Sequence, residues 1–427
     1  MTAPNLYADE CYAWIWLPAA AEPVLAGRLG RDGNTLSFAY ADAYLRRSDA
    51  ISIFPAELPL KEGPISPAPG LMLASCIRDA APDAWGRRVL ANQRFGAGAS
   101  DLDGTDLDEI SCLLRSGSDR IGALDFQSST TRHTPRLPQG GSLDRLLDAA
   151  DLVQRGIPLS RELKAALLPR CAVGGARPKA LVADEGKAFI AKFSGPNDGF
   201  DIVKAEFLAM RLARLVGLEV APVQLVRSGS RDVLLIERFD RIMVDGVWRR
   251  RALVSGLTLL GLDEMMARYA SYEDLAALVR KGFDDPEKTL RELFGRIVFS
   301  ILCGNTDDHA RNHSAFWTGS SLQLTPAYDI CPQSRHGDEA SQAMLIHGDH
   351  RDSRLARCIE AAEIFGLARD GAIALIVDQV QTMIANWEKV CSEAGISDLD
   401  KRQFARRQFL NPYAFEGAPE DIVKALR

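Results

Sequence analysis

Gly304-Asn305-Thr306-Asp307-Asp308-His309-Ala310-Arg311-Asn312 is the stretch on which the reading of this chain turns. It follows an apolar run whose Leu290, Leu293, Phe294, Ile297, Val298, Ile301 and Leu302 keep the 3–4 spacing of a buried helix. It precedes a short apolar segment, Ser314 to Trp317. A rigidly held polar loop between two buried elements is therefore expected. Two carboxylates, an imidazole, a guanidinium and a carboxamide crowd into Asp307–Asn312, a density that packing alone does not require. A second polar signal, Tyr328-Asp329, ends the next strand-like run.

The bulk numbers set limits. The chain has 427 residues, 47% hydrophobic and 25% charged, as in ordinary soluble globular proteins and enough for two or three domains. A net charge of -6 argues against a basic nucleic-acid-binding surface over the whole molecule. No apolar run reaches the roughly 20 residues needed to span a bilayer. Met1 to Glu10 lacks the basic and apolar regions of a signal peptide, so the expected compartment is the cytoplasm. The eight cysteines include no C-x-x-C pair and are expected to be buried free thiols.

Working outward, three short strand-like runs lie near residues 13–17, 24–29 and 36–40, and helices are expected over 71–79, 82–95 and 106–115. A closing strand near 120–126 completes an N-terminal α+β module over 1–126. A polar connection and helix 143–154 lead to Gly174-Gly175-Ala176-Arg177-Pro178-Lys179, a glycine turn that suits close backbone approach to phosphates but lacks the G-K-[ST] of a Walker loop. Lys187–Phe193 alternates and puts Lys192 on a face with Ala188 and Ile190. Asp201–Val216 is an amphipathic helix with Glu206 on a partly apolar stripe. Strands at 221–226 and 233–236 run into Glu237-Arg238-Phe239-Asp240-Arg241. Helices are expected over 253–270, 272–281, 286–303, 372–390 and 398–409. Trp248-Arg249-Arg250-Arg251 reads as a solvated basic turn, and His347-Gly348-Asp349-His350 as a surface loop without metal-ligand spacing.

The order of these signals fits phosphoryl transfer. That reaction needs metal ions bridging phosphate oxygens, a cation on the phosphates and an oriented hydroxyl. Asp307 would accept the hydroxyl proton, because only Asp307 lies five residues before Asn312; Asp308 is expected to be a solvated or capping neighbour. Asn312 and Asp329 offer hard oxygen ligands for Mg²⁺. Lys192 would bind phosphate oxygens, oriented by Glu206, and residues 127–245 and 246–427 would form the two lobes. The fold class is α+β, a two-lobed protein-kinase-like fold with an additional N-terminal α+β module and a helical C-terminal lobe.

The chain resembles the HipA-type serine/threonine kinases, toxins of type II toxin–antitoxin pairs. The resemblance rests on Gly174–Lys179, Glu237–Arg241, Thr306–Asn312 and Leu324-Thr325-Pro326-Ala327-Tyr328-Asp329, and in the N-terminal module on Phe38-Ala39-Tyr40, Leu58-Pro59-Leu60 and Asp119–Leu124. It implies ATP contacts at Gly174, Gly175, Ala176, Arg177, Pro178, Lys179, Lys192, Glu237, Arg238, Phe239, His309, Ala310, Arg311, Asn312, Tyr328 and Asp329. It also implies a protein substrate such as glutamyl-tRNA synthetase, a small helix-turn-helix antitoxin, and DNA reached only through that antitoxin. One departure stands out: Cys171-Ala172 occupies the place where the family often carries an autophosphorylated Ser. A small-molecule kinase on the same scaffold and a non-catalytic ATP- or partner-binding module are the alternative readings.

Overall fold

The computed structural model describes residues 8–95, 107–138, 140–195, 198–335, 337 and 339–426. The chain divides into two units: residues 1–197, 226–254 and 316–320 form the first, and 198–225, 255–315 and 321–427 the second.

The first unit opens with β1 (Glu10–Ile15), β2 (Val24–Asp32) and β3 (Thr35–Tyr40), joined in antiparallel register with β4 (Pro64–Ile65) and β5 (Leu124–Gln127) in the order β4-β3-β2-β1-β5. β3 is the simplest case of sequence dictating structure: Leu36, Phe38 and Tyr40 alternate and are buried, while Thr35, Ser37 and Ala39 are half-buried. Gly27 on β2 has no alternative, because a Cβ there would sit 2.2 Å from the Ala39 carbonyl oxygen.

A second sheet contains β6 (Lys179–Asp184), β7 (Lys187–Phe193), β8 (Val223–Ser228) and β9 (Arg231–Glu237) in the order β6-β7-β9-β8. Helices Ala84–Phe95 and Leu143–Gln154 share its core. Trp85, Val89, Leu146, Leu147, Val153, Ala191, Phe193 and Val233 are all buried there. β7 is thus an interior strand.

A hairpin of β10 (Arg241–Val244) and β11 (Val247–Arg250) follows, turning at Asp245-Gly246 with both residues at positive φ. This corrects the solvated-turn reading of 248–251. Arg250 stacks 3.5 Å over Trp16, and burial brings its pKa down to about 9; Arg251 stacks 3.2 Å over Phe316.

The second unit is built on helix Pro286–Cys303, in which Asp285 caps the Lys288 amide and Gly304 ends the helix at φ +71. Helix Arg369–Ala394 packs against helix Ile202–Leu215, fastened by Arg211–Glu393 at 2.9 Å. The expected helix over 253–270 is absent. Leu253–Ser255 is a strand, and only Gly256–Leu259 and a 3-10 turn at Ala267–Tyr269 are helical, with Gly261 at φ +65 just beyond the first. The helix expected over 71–79 shrinks to Ser75–Arg78, and that over 398–409 to Asp398–Phe404. All eight cysteines are buried and free, as expected.

Candidate active site

The first unit carries the glycine turn and the strand lysine. Gly175 has φ +93, a conformation that calls for glycine, and a Cβ there would lie 2.3 Å from the end of the Lys179 side chain. Lys179 Nζ donates to the Gly174 oxygen at 2.7 Å and closes the turn. The start of helix Ala84–Phe95 grips the same residue from both sides: the Gly175 amide donates to Asp83 Oδ2 at 3.0 Å, and the Trp85 amide donates to the Gly175 oxygen at 3.1 Å. Trp85 Nε1 donates to the Lys179 oxygen at 2.8 Å. Sequence reading missed Asp83 and Trp85; the one signal was the Pro82-Asp83 helix start, whose orphan amides needed partners. Lys192 on β7 is the direct cross-strand partner of Lys179 on β6, and the two are only 7% and 6% exposed. Paired positions project from one face, so the strands present two cationic side chains side by side. Ala176 and Arg177 are exposed, and Pro178 is buried.

At the exit of β9, the Glu237 carboxylate accepts from Lys187 Nζ at 2.8 Å. Arg238 is buried and paired to Asp240 at 2.8 Å and Asp119 at 2.9 Å; Arg241 pairs with the same two carboxylates. The side chains of Glu237 and Arg238 are therefore engaged within the protein. Phe239 packs edge-on against Phe316 at 5.7 Å.

The second unit carries the polar loop. The Asn305 amide donates to the Ser300 oxygen at 2.8 Å, and the Gln333 amide donates to the Gly304 oxygen at 3.0 Å. Asp307 is exposed, but its carbonyl is pinned by the His309 amide at 2.9 Å and by Asn312 Nδ2 at 3.2 Å. The five-residue spacing between Asp307 and Asn312 thus has a direct structural use. Ala310–Asn312 forms a 3-10 turn, and Arg311 pairs with Glu264 at 2.8 Å. The Tyr328 hydroxyl donates to the Arg311 oxygen at 2.6 Å, tying the second polar signal to the first. Asp329 holds φ +58, an uncommon backbone state for a non-glycine residue that marks a constrained position. His309 Nδ1 is buried with no hydrogen-bond partner. Glu206 is 3% exposed on helix Ile202–Leu215, in this unit, whereas Lys192 belongs to the first.

Asp308 overturns its expectation. It is not solvated but 5% exposed, accepting from Ser300 Oγ at 3.1 Å and from the Tyr272 hydroxyl, with His313 Nε2 3.2 Å from its other oxygen. Burial alone would raise its pKa; the neighbouring His313 imidazole and the donors Tyr272 and Ser300 outweigh it and hold the carboxyl below its usual value.

The α+β chain thus carries a glycine turn and paired strand lysines in its first unit and a braced aspartate loop in its second. Comparison with known proteins gives the family: residues 171–387, half of the chain, match the HipA-like C-terminal domain, and residues 17–127 match the HipA N-terminal domain. The chain belongs to the HipA family. It is 30% identical over 211 residues to a serine/threonine-protein kinase toxin HipA of Shewanella oneidensis; the match covers 43% of this chain and 48% of that protein, about half the relative's length. It is 26% identical over 331 residues to the putative kinase Y4mE of Sinorhizobium fredii, covering 72% and 74% of the two chains. The solved complex of Shewanella oneidensis MR-1 HipA with HipB and operator DNA contains a chain with the same fold, with TM-score 0.64 at 22% identity, over 92% of this chain and 93% of that one. The kinase-like α+β fold is therefore the fold of this chain. No described helix is long and apolar enough to cross a membrane.

Proposed function

We propose that this chain is an ATP-dependent serine/threonine protein kinase acting as the toxin of a type II toxin–antitoxin pair. The observation that carries the reading is the exposed Asp307 carboxylate on a loop whose backbone is fixed by Asn312, Tyr328 and Asp308. A general base must reach a substrate hydroxyl yet stay in register, and this loop meets both requirements. Asp307 accepts the hydroxyl proton. Lys179 and Lys192 place positive charge on the phosphates, and the Gly174–Lys179 turn brings backbone close to them. The backbone at Glu237–Phe239 reads the adenine edge.

The residues present fit a magnesium nucleotide. Asn312 and Asp329 supply hard oxygens, and Mg²⁺ characteristically takes one or two protein oxygens together with phosphates and waters rather than an all-protein cage. Among the described residues, no group of three or more His, Cys, Asp or Glu side chains is gathered around a common point. The unpartnered His309 Nδ1 gives nucleotide a further polar contact. When bound, the metal neutralises charge on the transferring phosphoryl group.

The substrate class is a protein of the translation machinery, with glutamyl-tRNA synthetase the first to try, and the partner is a small helix-turn-helix antitoxin through which DNA is reached. The cytoplasm is the proposed compartment. Ala172, 1% exposed, offers no hydroxyl for self-inactivation. Phosphopeptide mass spectrometry of cells expressing wild type or Asp307→Asn tests the reading. New phosphoserine or phosphothreonine sites appear with wild type alone; identical phosphopeptide sets would overturn it.

A further inference from the structure

The structure assigns Asp308 as the positioning residue for Asp307, a role that rests on the kinase reading above. Asp308 is the point at which the loop is nailed to three separate elements. Its Oδ2 accepts from Ser300 on helix Pro286–Cys303 and from Tyr272 at the start of helix Tyr272–Gly282, while Oδ1 faces His313, the residue leading into the next strand, Ser314–Trp317. Tyr272 and His313 also pack edge to face at 5.4 Å, so the ring that donates to Asp308 is itself held by the ring that faces it.

Every member is buried: Tyr272 0%, Asp308 5%, Ser300 4% and His313 3% exposed. A buried carboxylate with this set of partners is costly to displace, and the backbone on either side of it is correspondingly fixed. The residue before it is Asp307, which is exposed and whose carbonyl is pinned by Asn312. Adjacent aspartates thus divide the labour. Asp308 turns inward and sets where the peptide lies; Asp307 turns outward from that fixed peptide. Loss of the Asp308 carboxylate leaves Asp307 chemically intact but lets the loop wander, and misplacement by about 1 Å costs on the order of 100-fold in rate.

The test compares full-length wild type with Asp308→Asn, and with Ser300→Ala as the milder variant should Asp308→Asn not fold. Two quantities are read: kcat and ATP KM for phosphoryl transfer to mixed soluble protein, and hydrogen exchange of the amides in Asn305–Asn312. The proposal expects kcat to fall roughly 10- to 100-fold for Asp308→Asn, and less for Ser300→Ala. ATP KM moves far less, and exchange in the loop accelerates. A merely structural role would lower the melting temperature without this split between kcat and KM. Unchanged loop exchange, or faster exchange with full kcat, overturns the positioning role while the kinase reading stands. A wild-type protein that transfers no phosphate sinks the kinase reading, and this role with it.

Discussion

Replacing Asp240 by Asn attacks the buried charge cluster that ties the exit of β9 to residues 119–122. Asp240 is 2% exposed. It accepts from Arg238 Nε at 2.9 Å, Arg238 Nη2 at 2.8 Å, Arg241 Nη1 at 3.0 Å and the Gly122 amide at 2.8 Å. Burial alone would raise its pKa, but the two guanidinium charges and these donors hold the carboxyl below its usual value. An Asn keeps one acceptor oxygen and turns an NH₂ group toward guanidinium donors. Arg238 and Arg241, 5% and 9% exposed, would then share only Asp119, whose side chain is 33% exposed. Removing one partner from a buried ion pair costs about 3–5 kcal/mol. Against a typical domain stability of about 5–15 kcal/mol, that is a large fraction. Five of the six tryptophans (Trp14, Trp16, Trp85, Trp248 and Trp317) lie in the first unit, so tryptophan fluorescence during urea unfolding reports chiefly on it. The expected result is a lower midpoint equivalent to about 3–5 kcal/mol. Adding Arg238→Met should recover part of the loss, since it removes a buried charge that has lost one of its two carboxylates and leaves Asp119 to Arg241. A loss below about 1 kcal/mol, or a double variant that simply sums the two single losses, refutes the reasoning.

Other consequences follow from individual residues. Gly304→Ala faces a Gln408 oxygen 2.6 Å from the new Cβ and a φ of +71; the left-handed state alone costs about 1 kcal/mol, so thermal unfolding should shift down and loop exchange rise, and an unchanged melting curve contradicts the packing described. Lys192→Ala should weaken ATP binding at least roughly 10-fold by calorimetry, the scale of one charge-assisted contact, and wild-type affinity would remove the lysine from the site. Asp125 is fully buried: burial pushes its pKa up, but the hydrogen bond to His133 and the charges of Arg120 and Arg136 pull it below the usual value. A depressed folded pKa gives stability that is present above the unfolded value of about 3.9 and lost as pH falls through the folded one. Asp125→Asn should therefore flatten the acid loss of stability below about pH 4, and an acid slope equal to wild type would show that this carboxylate carries none of it.

The parts legible in the sequence were those with a local period. Helix Pro286–Cys303 advertises itself through its apolar spacing and β7 through its alternation, because burial on one face leaves that trace. The segment 253–270 has apolar residues at helical intervals, yet its helix stops at Leu259, with Gly261 at φ +65 just beyond it. Gly256, inside that short helix, admits the Ala310 and His313 carbonyls, a tertiary demand with no local signature. The hairpin at 241–250 was missed although Asp245-Gly246 flanked by Val244 and Val247 is a recognised turn signal; the run of arginines after it drew attention to charge, while the rings of Trp16 and Phe316 that receive Arg250 and Arg251 lie far away in the chain. Within the loop, spacing separated Asp307 from Asp308, but the burial of Asp308 depends on Tyr272, Ser300 and His313 converging from three elements. The grip of Asp83 and Trp85 on Gly175 is equally a matter of distant residues meeting.

The decisive measurement is transfer of the γ-phosphate from labelled ATP and Mg²⁺ to glutamyl-tRNA synthetase and to a soluble protein extract, with wild type beside Asp307→Asn. Wild type is expected to label protein serine or threonine, and Asp307→Asn to lose that labelling by about 1,000-fold or more. Labelling by Asp307→Asn at the wild-type rate would contradict it.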